Sequence, residues 1–157
     1  MTETIERTET HATFVIERDY PAPVDAVWHA LSAEEARDQW FGAGEAFDIR
    51  EKSHDFRVGG QTLEEGQWHD GPQSTFRATY TDIVDQHRMV FTYDMWVEGR
   101  HLSTSLTTIA LVPEDGGTHL VYTEQGTHFD GLDSIEGREE GTRGLLEQLG
   151  SYLAAHR

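Results

Sequence analysis

Glu124 and Arg138, fourteen positions apart, are the pair in this chain best placed to do chemistry. Glu124 falls in a strand-like run and Arg138 near the start of a helical one. Both can therefore point into the space between a sheet and a helix, where each offsets the other's desolvation penalty. Such a pair can orient the polar end of a bound molecule or take part in acid–base chemistry. The alternative for the same residues is a surface salt bridge, which contributes little.

Nine histidines raise the question of a metal. His54, His69, His101, His119 and His128 are scattered, none shows the two-histidine i, i+4 helical spacing, and the chain has no cysteine. The nearest grouping is His128 with Asp130 beside His119, and Asp130-Gly131 reads more simply as a turn. No metal site is expected. The elbow GxSxG, the phosphate loop GxxxxGK and the dinucleotide fingerprint GxGxxG are all missing, so no local catalytic motif and no cofactor is implied. Catalysis by Glu124, Arg138 or His101 around a cavity stays open, because such groups need only proximity in space.

The elements that would position these residues follow from periodicity and turn chemistry. Residues 1–11 alternate Thr and Glu with little to bury and are expected to form a flexible acidic leader, with one domain over 12–157. From Ala12 to Tyr20, Phe14 and Ile16 share one side of a strand. Pro23 suits the first turn of a helix whose apolar stripe is Val24, Val27, Trp28 and Leu31. Ser32 and Glu35 have the form of a capping box opening a second short helix that ends near Trp40, Phe41 and Gly42. Between Ala46 and Gln125 turn signals at Gly59-Gly60, Asp70-Gly71-Pro72, Glu98-Gly99 and Asp115-Gly116-Gly117 divide an antiparallel meander. Its best-marked strands are Thr75 to Val84, Met89 to Val97, Leu102 to Val112 and Thr118 to Gln125. A long C-terminal helix, from about Ile135 or Arg138 to Ala155, carries Leu145, Leu146, Leu149, Tyr152 and Leu153. This order predicts an α+β fold with the long helix packed on one face of the sheet.

That helix is leucine-rich late and small or polar early, since the stripe runs back from Leu149 and Leu145 to Gly141 or Thr142 and then Arg138. Gly137, Gly141 and Gly144 would leave room for a pocket at one end of a concave sheet. Met89, Phe91, Tyr93 and Met95 share one strand face and offer an apolar, aromatic wall. Pairing Ile109 with Leu120 would set Thr107 opposite Tyr122 and Ser105 opposite Glu124, giving a face that runs from apolar to polar.

With 29 acidic against 12 basic residues the formal charge is −17, which disfavours nucleic-acid partners. The absence of cysteine, of a signal-peptide pattern and of any stretch near the roughly 20 apolar residues of a membrane span fits a cytoplasmic protein.

Several motifs together resemble a known family. APVDAVWHAL (Ala22 to Leu31), QWF at the end of the second helix and FRVGG (Phe56 to Gly60) are similar to the SRPBCC superfamily of START-like, birch-pollen-allergen-like proteins. FRATYTDIV, RMVFTYDM, GTHLVYTEQG and REEGTRGLLEQLGSYL, in that order, resemble its group named after the activator of heat-shock-protein-90 ATPase, as small bacterial stand-alone domains. The resemblance implies the helix-grip fold, a curved antiparallel β-sheet around a long C-terminal helix, with two short helices after strand 1 and a hydrophobic cavity between sheet and helix. Superfamily members include lipid and sterol carriers, polyketide cyclases and chaperone co-factors, and a fold alone does not fix the chemistry.

The expected function is binding of a small hydrophobic molecule (lipid, polyketide or flavonoid-like) in that cavity. The candidate site is Trp40, Phe56, Phe91, Tyr93, Met95, Tyr122, Glu124, Phe129, Arg138 and Gly141. The alternatives are a cavity-based enzyme, such as a polyketide cyclase-like or hydrolase activity, and a chaperone-ATPase-regulating partner module. The sequence leaves the oligomeric state open.

Overall fold

The computed structural model describes residues 6–42 and 44–156. Seven antiparallel strands form one sheet: β1 (Glu9–Tyr20), β2 (Phe47–His54), β3 (Gln61–Trp68), β4 (Gln73–Val84), β5 (Arg88–Val97), β6 (Arg100–Glu114) and β7 (Gly117–Phe129). Helices α1 (Val24–Ser32) and α2 (Glu34–Trp40) follow β1, and α3 (Ile135–Ala155) ends the chain. The sheet order is β1-β7-β6-β5-β4-β3-β2, so the meander from β2 to β7 is closed off by the first strand. This is the expected α+β arrangement of a curved sheet around a long final helix. Among the described residues no helix is long and apolar enough to cross a membrane.

Turn chemistry sets the hairpins. Glu98 and Gly99 between β5 and β6, and Asp115 and Gly116 between β6 and β7, all have positive φ, the geometry of two-residue turns whose twist matches the flanking strands. The second of these turns fixes the pairing Glu114↔Gly117, from which Leu111↔Leu120, Ile109↔Tyr122 and Thr107↔Glu124 follow. The register expected from sequence is therefore two residues out. The slip preserves which side chains face inward, because strand side chains alternate with period two.

Two further expectations are corrected. β1 begins at Glu9 rather than Ala12, because Glu9, Thr10 and His11 pair with Phe129, His128 and Thr127 at the far end of β7. The first five residues of the expected leader lie outside the described residues. Ser32 does not open α2 as a capping box. It lies in the last turn of α1, where its hydroxyl donates to the Trp28 carbonyl at 2.7 Å, a use that competes with capping; Ala33 caps α2 without a side-chain bond.

The core lies between the inner sheet face and the helices. Ile16, Leu120, Ile109, Leu111 and Met89 meet Val27, Leu31, Leu146, Leu149 and Leu153 there. Tyr20 ties sheet to helix by donating from its hydroxyl to the Leu146 carbonyl at 2.7 Å. At the hairpin end of β1 and β7, the His119 ring stands between Asp19 (Nδ1 to Oδ1, 2.6 Å) and Glu17 (Nε2 to Oε1, 2.9 Å). Both partners accept only, so the arrangement suits a ring protonated on both nitrogens.

Hydrogen bonds to Asp19 and then Glu17 raise the His119 pKa above its ordinary 6.5. A folded-state pKa above the unfolded one means that this contribution is complete below about pH 6.5 and is lost as pH rises through the folded value. Urea midpoints measured from pH 6 to pH 9 are expected to decline less on the alkaline side for His119→Gln than for the wild type. Parallel profiles would show that the clamp contributes nothing.

Candidate functional site

Glu124 is 1% exposed at the inner face of β7. Its Oε1 accepts from the Tyr93 hydroxyl of β5 at 2.7 Å and from the Tyr122 hydroxyl at 3.2 Å. Its Oε2 accepts from the Ser105 hydroxyl of β6 at 3.4 Å and faces the Arg138 Nη1 of α3 at 3.6 Å. Three strands and the first turns of α3 thus converge on one carboxylate. A buried charge is tolerated only with such a set of donors.

Arg138 spreads its guanidinium over four partners. Nη1 donates to the Tyr93 oxygen at 3.0 Å, and Nη2 to Ser103 Oγ at 2.8 Å and to Asp133 Oδ2 at 2.7 Å. Asp133 in turn accepts from His128 Nδ1 at 2.8 Å. The start of α3 makes this geometry possible: Ser134 Oγ accepts from the Gly137 amide at 3.0 Å, an N-cap that fixes where the first turn begins. Asp133 then precedes the cap and Arg138 follows it, and both reach the same point on the sheet.

Burial works against the charge of Arg138, and Tyr93, Asp133 and Glu124 together more than offset it, so its pKa is raised. Burial, reinforced by Glu124, pushes the Tyr93 hydroxyl far above the usual phenol range. Burial also raises Tyr122, with Tyr93 and Glu124 adding to the shift. Both tyrosines are therefore neutral hydrogen-bond donors rather than bases.

Next to this polar centre lies a chain of rings. Tyr93 packs on Phe76 at 5.0 Å and on Phe91 at 6.2 Å, Phe91 on Tyr80 at 5.8 Å, and Tyr80 on Phe56 at 5.0 Å. Phe76 meets Phe41 at 5.6 Å, and Phe14 stacks on Tyr122 at 6.3 Å. At the far end of the tract, burial lowers the His54 pKa, and the ring bonds Thr62 Oγ1 at 2.7 Å and the Ser32 carbonyl at 2.6 Å.

Of the residues singled out from sequence, Tyr93, Tyr122, Glu124 and Arg138 come together in one cluster. Phe91 adjoins it, and Met95 is part-buried against the core. Trp40 and Phe56 belong to the core but stand apart from Glu124: Trp40 Nε1 donates to the Ala30 carbonyl at 2.8 Å, and Phe56 packs on Trp28 at 5.8 Å. Phe129 is on the outer face, against the His101 ring at 4.9 Å, because it is an odd number of residues from Glu124. His101 is outside with it, bonded to Asp94 Oδ1 at 2.8 Å. Gly141 lies on the exposed side of α3, where an added Cβ would meet nothing within 4 Å; the buried stripe runs through Thr142 instead.

His128, Asp130 and His119, the nearest grouping of such residues in the sequence, are not brought together, and Asp130-Gly131 is a turn as expected. Asp130, in a turn with positive φ, binds Arg7 at 2.7 Å, while His119 is at the other end of β7. The polar residues that the sequence reading did not assign are Ser103, His128 and Asp133. Alternation from Glu124 through Gly126 to His128 is the signal that would have found the second of them.

Surface hollows open elsewhere. One of about 460 Å³ is bounded by Arg7, Arg100, His101, Phe129, Asp130 and Leu132, and one of about 80 Å³ includes Arg37, His54 and Glu64. Neither is lined by Glu124 or Arg138.

A sheet that grips its last helix, with a polar centre on the concave face, defines the helix-grip class, a fold that commonly has a hydrophobic ligand-binding cavity. The family model described as activator of Hsp90 ATPase homolog 1-like protein matches residues 21–154, and the chain belongs to that family. It is similar to the crystal structure of the Mll3558 protein from Rhizobium loti, at 45% identity over 93% of this chain and 99% of that one, with a TM-score of 0.86. A protein of Rhizobium leguminosarum is 37% identical over 96% and 99% of the two chains, with a TM-score of 0.90. An AHSA1-like protein of Aeromonas hydrophila, at 21% identity over 92% and 94% with a TM-score of 0.72, shares the fold. No curated protein matches the sequence.

Removing the carboxylate should expose how the centre is held. Glu124→Ala leaves three hydroxyls without an acceptor and is expected to destabilise by about 3–5 kcal/mol, as breaking a buried charge network does. The double variant Glu124→Leu/Arg138→Met should recover part of that loss, read as a non-additive coupling in urea unfolding. Strict additivity would mean that the two residues do not act as a unit.

Proposed function

We propose that this protein binds a small apolar molecule of lipid, polyketide or flavonoid type on the concave face of its sheet, with the polar end of the ligand at the Glu124–Arg138 centre. The observation that carries this reading is the placement of that centre: a buried charge pair with its own donors, set beside a continuous tract of aromatic rings. Buried ion pairs are poor devices for stability, and apolar residues of similar volume usually do as well or better. Leucine fills the same helix stripe further along, at Leu146, Leu149 and Leu153. A charged residue at position 138 is thus a departure from what packing alone favours, and recognition of a polar group supplies a reason for it.

The rings supply the rest of the binding surface. Phe41, Phe76, Phe91, Tyr80 and Tyr93 offer flat faces to an apolar or planar molecule, and small rotations between edge and stacked contacts can admit one. The carbonyls of Trp40 and Gly42 tie the end of α2 to α3 by accepting from the Gln148 side chain at 2.6 and 3.1 Å.

Native mass spectrometry of the protein purified from two unrelated hosts tests the proposal. The expected result is a recurrent apolar adduct that is lost in Glu124→Leu/Arg138→Met. A dose-dependent rise in Tm with that compound should follow, approaching about 2.7 kcal/mol at a hundred times the Kd. A clean ligand-free mass from both hosts, with no Tm response across a panel of hydrophobic compounds, would overturn the reading.

A further inference from the structure

At the far end of the ring tract two charged side chains of opposite sign line one hollow without touching. This hollow, of about 80 Å³, is formed by residues of α2, β2 and β3 together with Phe41. Most of the polar groups around it are already bonded. Lys52 Nζ holds Asp38 Oδ1 at 2.6 Å. Both nitrogens of the His54 ring are engaged, by Thr62 Oγ1 and by the Ser32 carbonyl, and Thr62 Oγ1 also bonds the Tyr80 hydroxyl at 2.9 Å.

Arg37 and Glu64 are the exceptions. A guanidinium carries five N–H donors. Among the described residues only Nη1 of Arg37 finds an acceptor, the Leu31 carbonyl at a long 3.3 Å. The group lies over the Phe41 ring at 4.2 Å and makes no ion pair. Glu64, part-buried on β3, has neither a hydrogen bond nor an ion pair among the described residues. Burial raises its pKa above the ordinary value, with Arg37 and Lys52 opposing. A charge drawn out of water is costly until it is paired, and here two stand unpaired at the same hollow. Its volume suits the head of a ligand rather than a whole one, since drug-sized pockets begin near ~300 Å³. The rings supply the connection: Phe41 meets Phe76, Phe76 meets Tyr93, and Tyr93 donates to Glu124.

We infer that this hollow is a second polar subsite, which takes a carboxamide at the end of the ligand remote from Glu124 and Arg138, its carbonyl accepting from Arg37 and its N–H donating to Glu64. The inference rests on the ligand-binding reading above and adds the other end of the molecule. An amide carries acceptor and donor on separate atoms and so serves two side chains that do not touch. Other groups fit less well. A carboxylate has nothing to give Glu64 and meets Asp38 as well, and an ammonium has nothing to accept from Arg37. An ester or ketone satisfies Arg37 and leaves Glu64 bare.

The test is isothermal titration on the whole protein with N-methyl-2-naphthamide, with methyl 2-naphthoate, in which oxygen replaces the N–H, and with 2-naphthoate and naphthalene. The wild type should bind the amide about ten-fold more tightly than the ester, the effect of one net hydrogen bond. Glu64→Leu should bring that ratio close to one while ester binding persists. Arg37→Met should weaken amide and ester alike, with folding of both variants checked by their thermal transitions. Intermolecular NOEs from the amide N-methyl group to the Thr62 methyl in the wild type locate the head group even where a variant fails to fold. Equal affinity for amide and ester, a ratio that survives Glu64→Leu, or NOEs to Tyr93 and Tyr122 in place of Thr62 overturns the subsite and leaves ligand binding on the concave face intact, as does tighter binding of 2-naphthoate. Failure of all four probes to bind overturns both.

Discussion

A carboxylate placed inside a protein must find all of its hydrogen-bond donors there, and much of this molecule is arranged to meet that demand for Glu124. Each donor comes from a different element: Tyr93 from β5, Ser105 from β6, Tyr122 from β7 itself and Arg138 from α3. The register of two hairpins decides whether these groups coincide. Thr107↔Glu124 is a consequence of the tight turn at Asp115-Gly116, whereas Met95↔Ser103 and Tyr93↔Ser105 depend on the turn at Glu98-Gly99 together with a one-residue irregularity between Met95 and Trp96. A one-residue slip in either would turn a donor outward and leave the charge without a partner.

The same demand explains the division of α3. Its second half carries Leu146, Leu149 and Leu153 into the core between β1 and the short helices, while its first turns carry Arg138 and Thr142. Ser134 fixes the start of the helix, and Asp133, one residue earlier, binds both Arg138 and His128. Two carboxylates, Glu124 and Asp133, thus share the one guanidinium of Arg138.

Much of the fold was legible in the residues because it is decided locally. Turns at Glu98-Gly99 and Asp115-Gly116, the stripe Val24, Val27, Trp28, Leu31 and the leucines of α3 carry their own periodicity or backbone requirement. The Glu124–Arg138 pairing was legible for another reason: two charges on apolar faces have few places to go. The β6–β7 register was misread because the strands tolerate two pairings that keep the same face inward; only the two-residue turn selects between them. Phe129 was misassigned although its parity relative to Glu124 excludes it from the inner face. Asp133 had no signal at all. It follows the irregular turn at Asp130-Gly131, where there is no period to read, and its partners are brought to it only when α3 closes on the sheet.

A fold of this kind needs apolar surface on both layers, and a leucine at 138 with a valine at 124 would satisfy it. The polar centre adds constraints that packing does not require: a capped helix start, four donors, and a glycine at 126, where a Cβ would stand only 2.9 Å from Ser105 Oγ. Each constraint restricts the sequence further. Packing alone would not select them, because apolar residues of similar volume do as well as a buried ion pair or better.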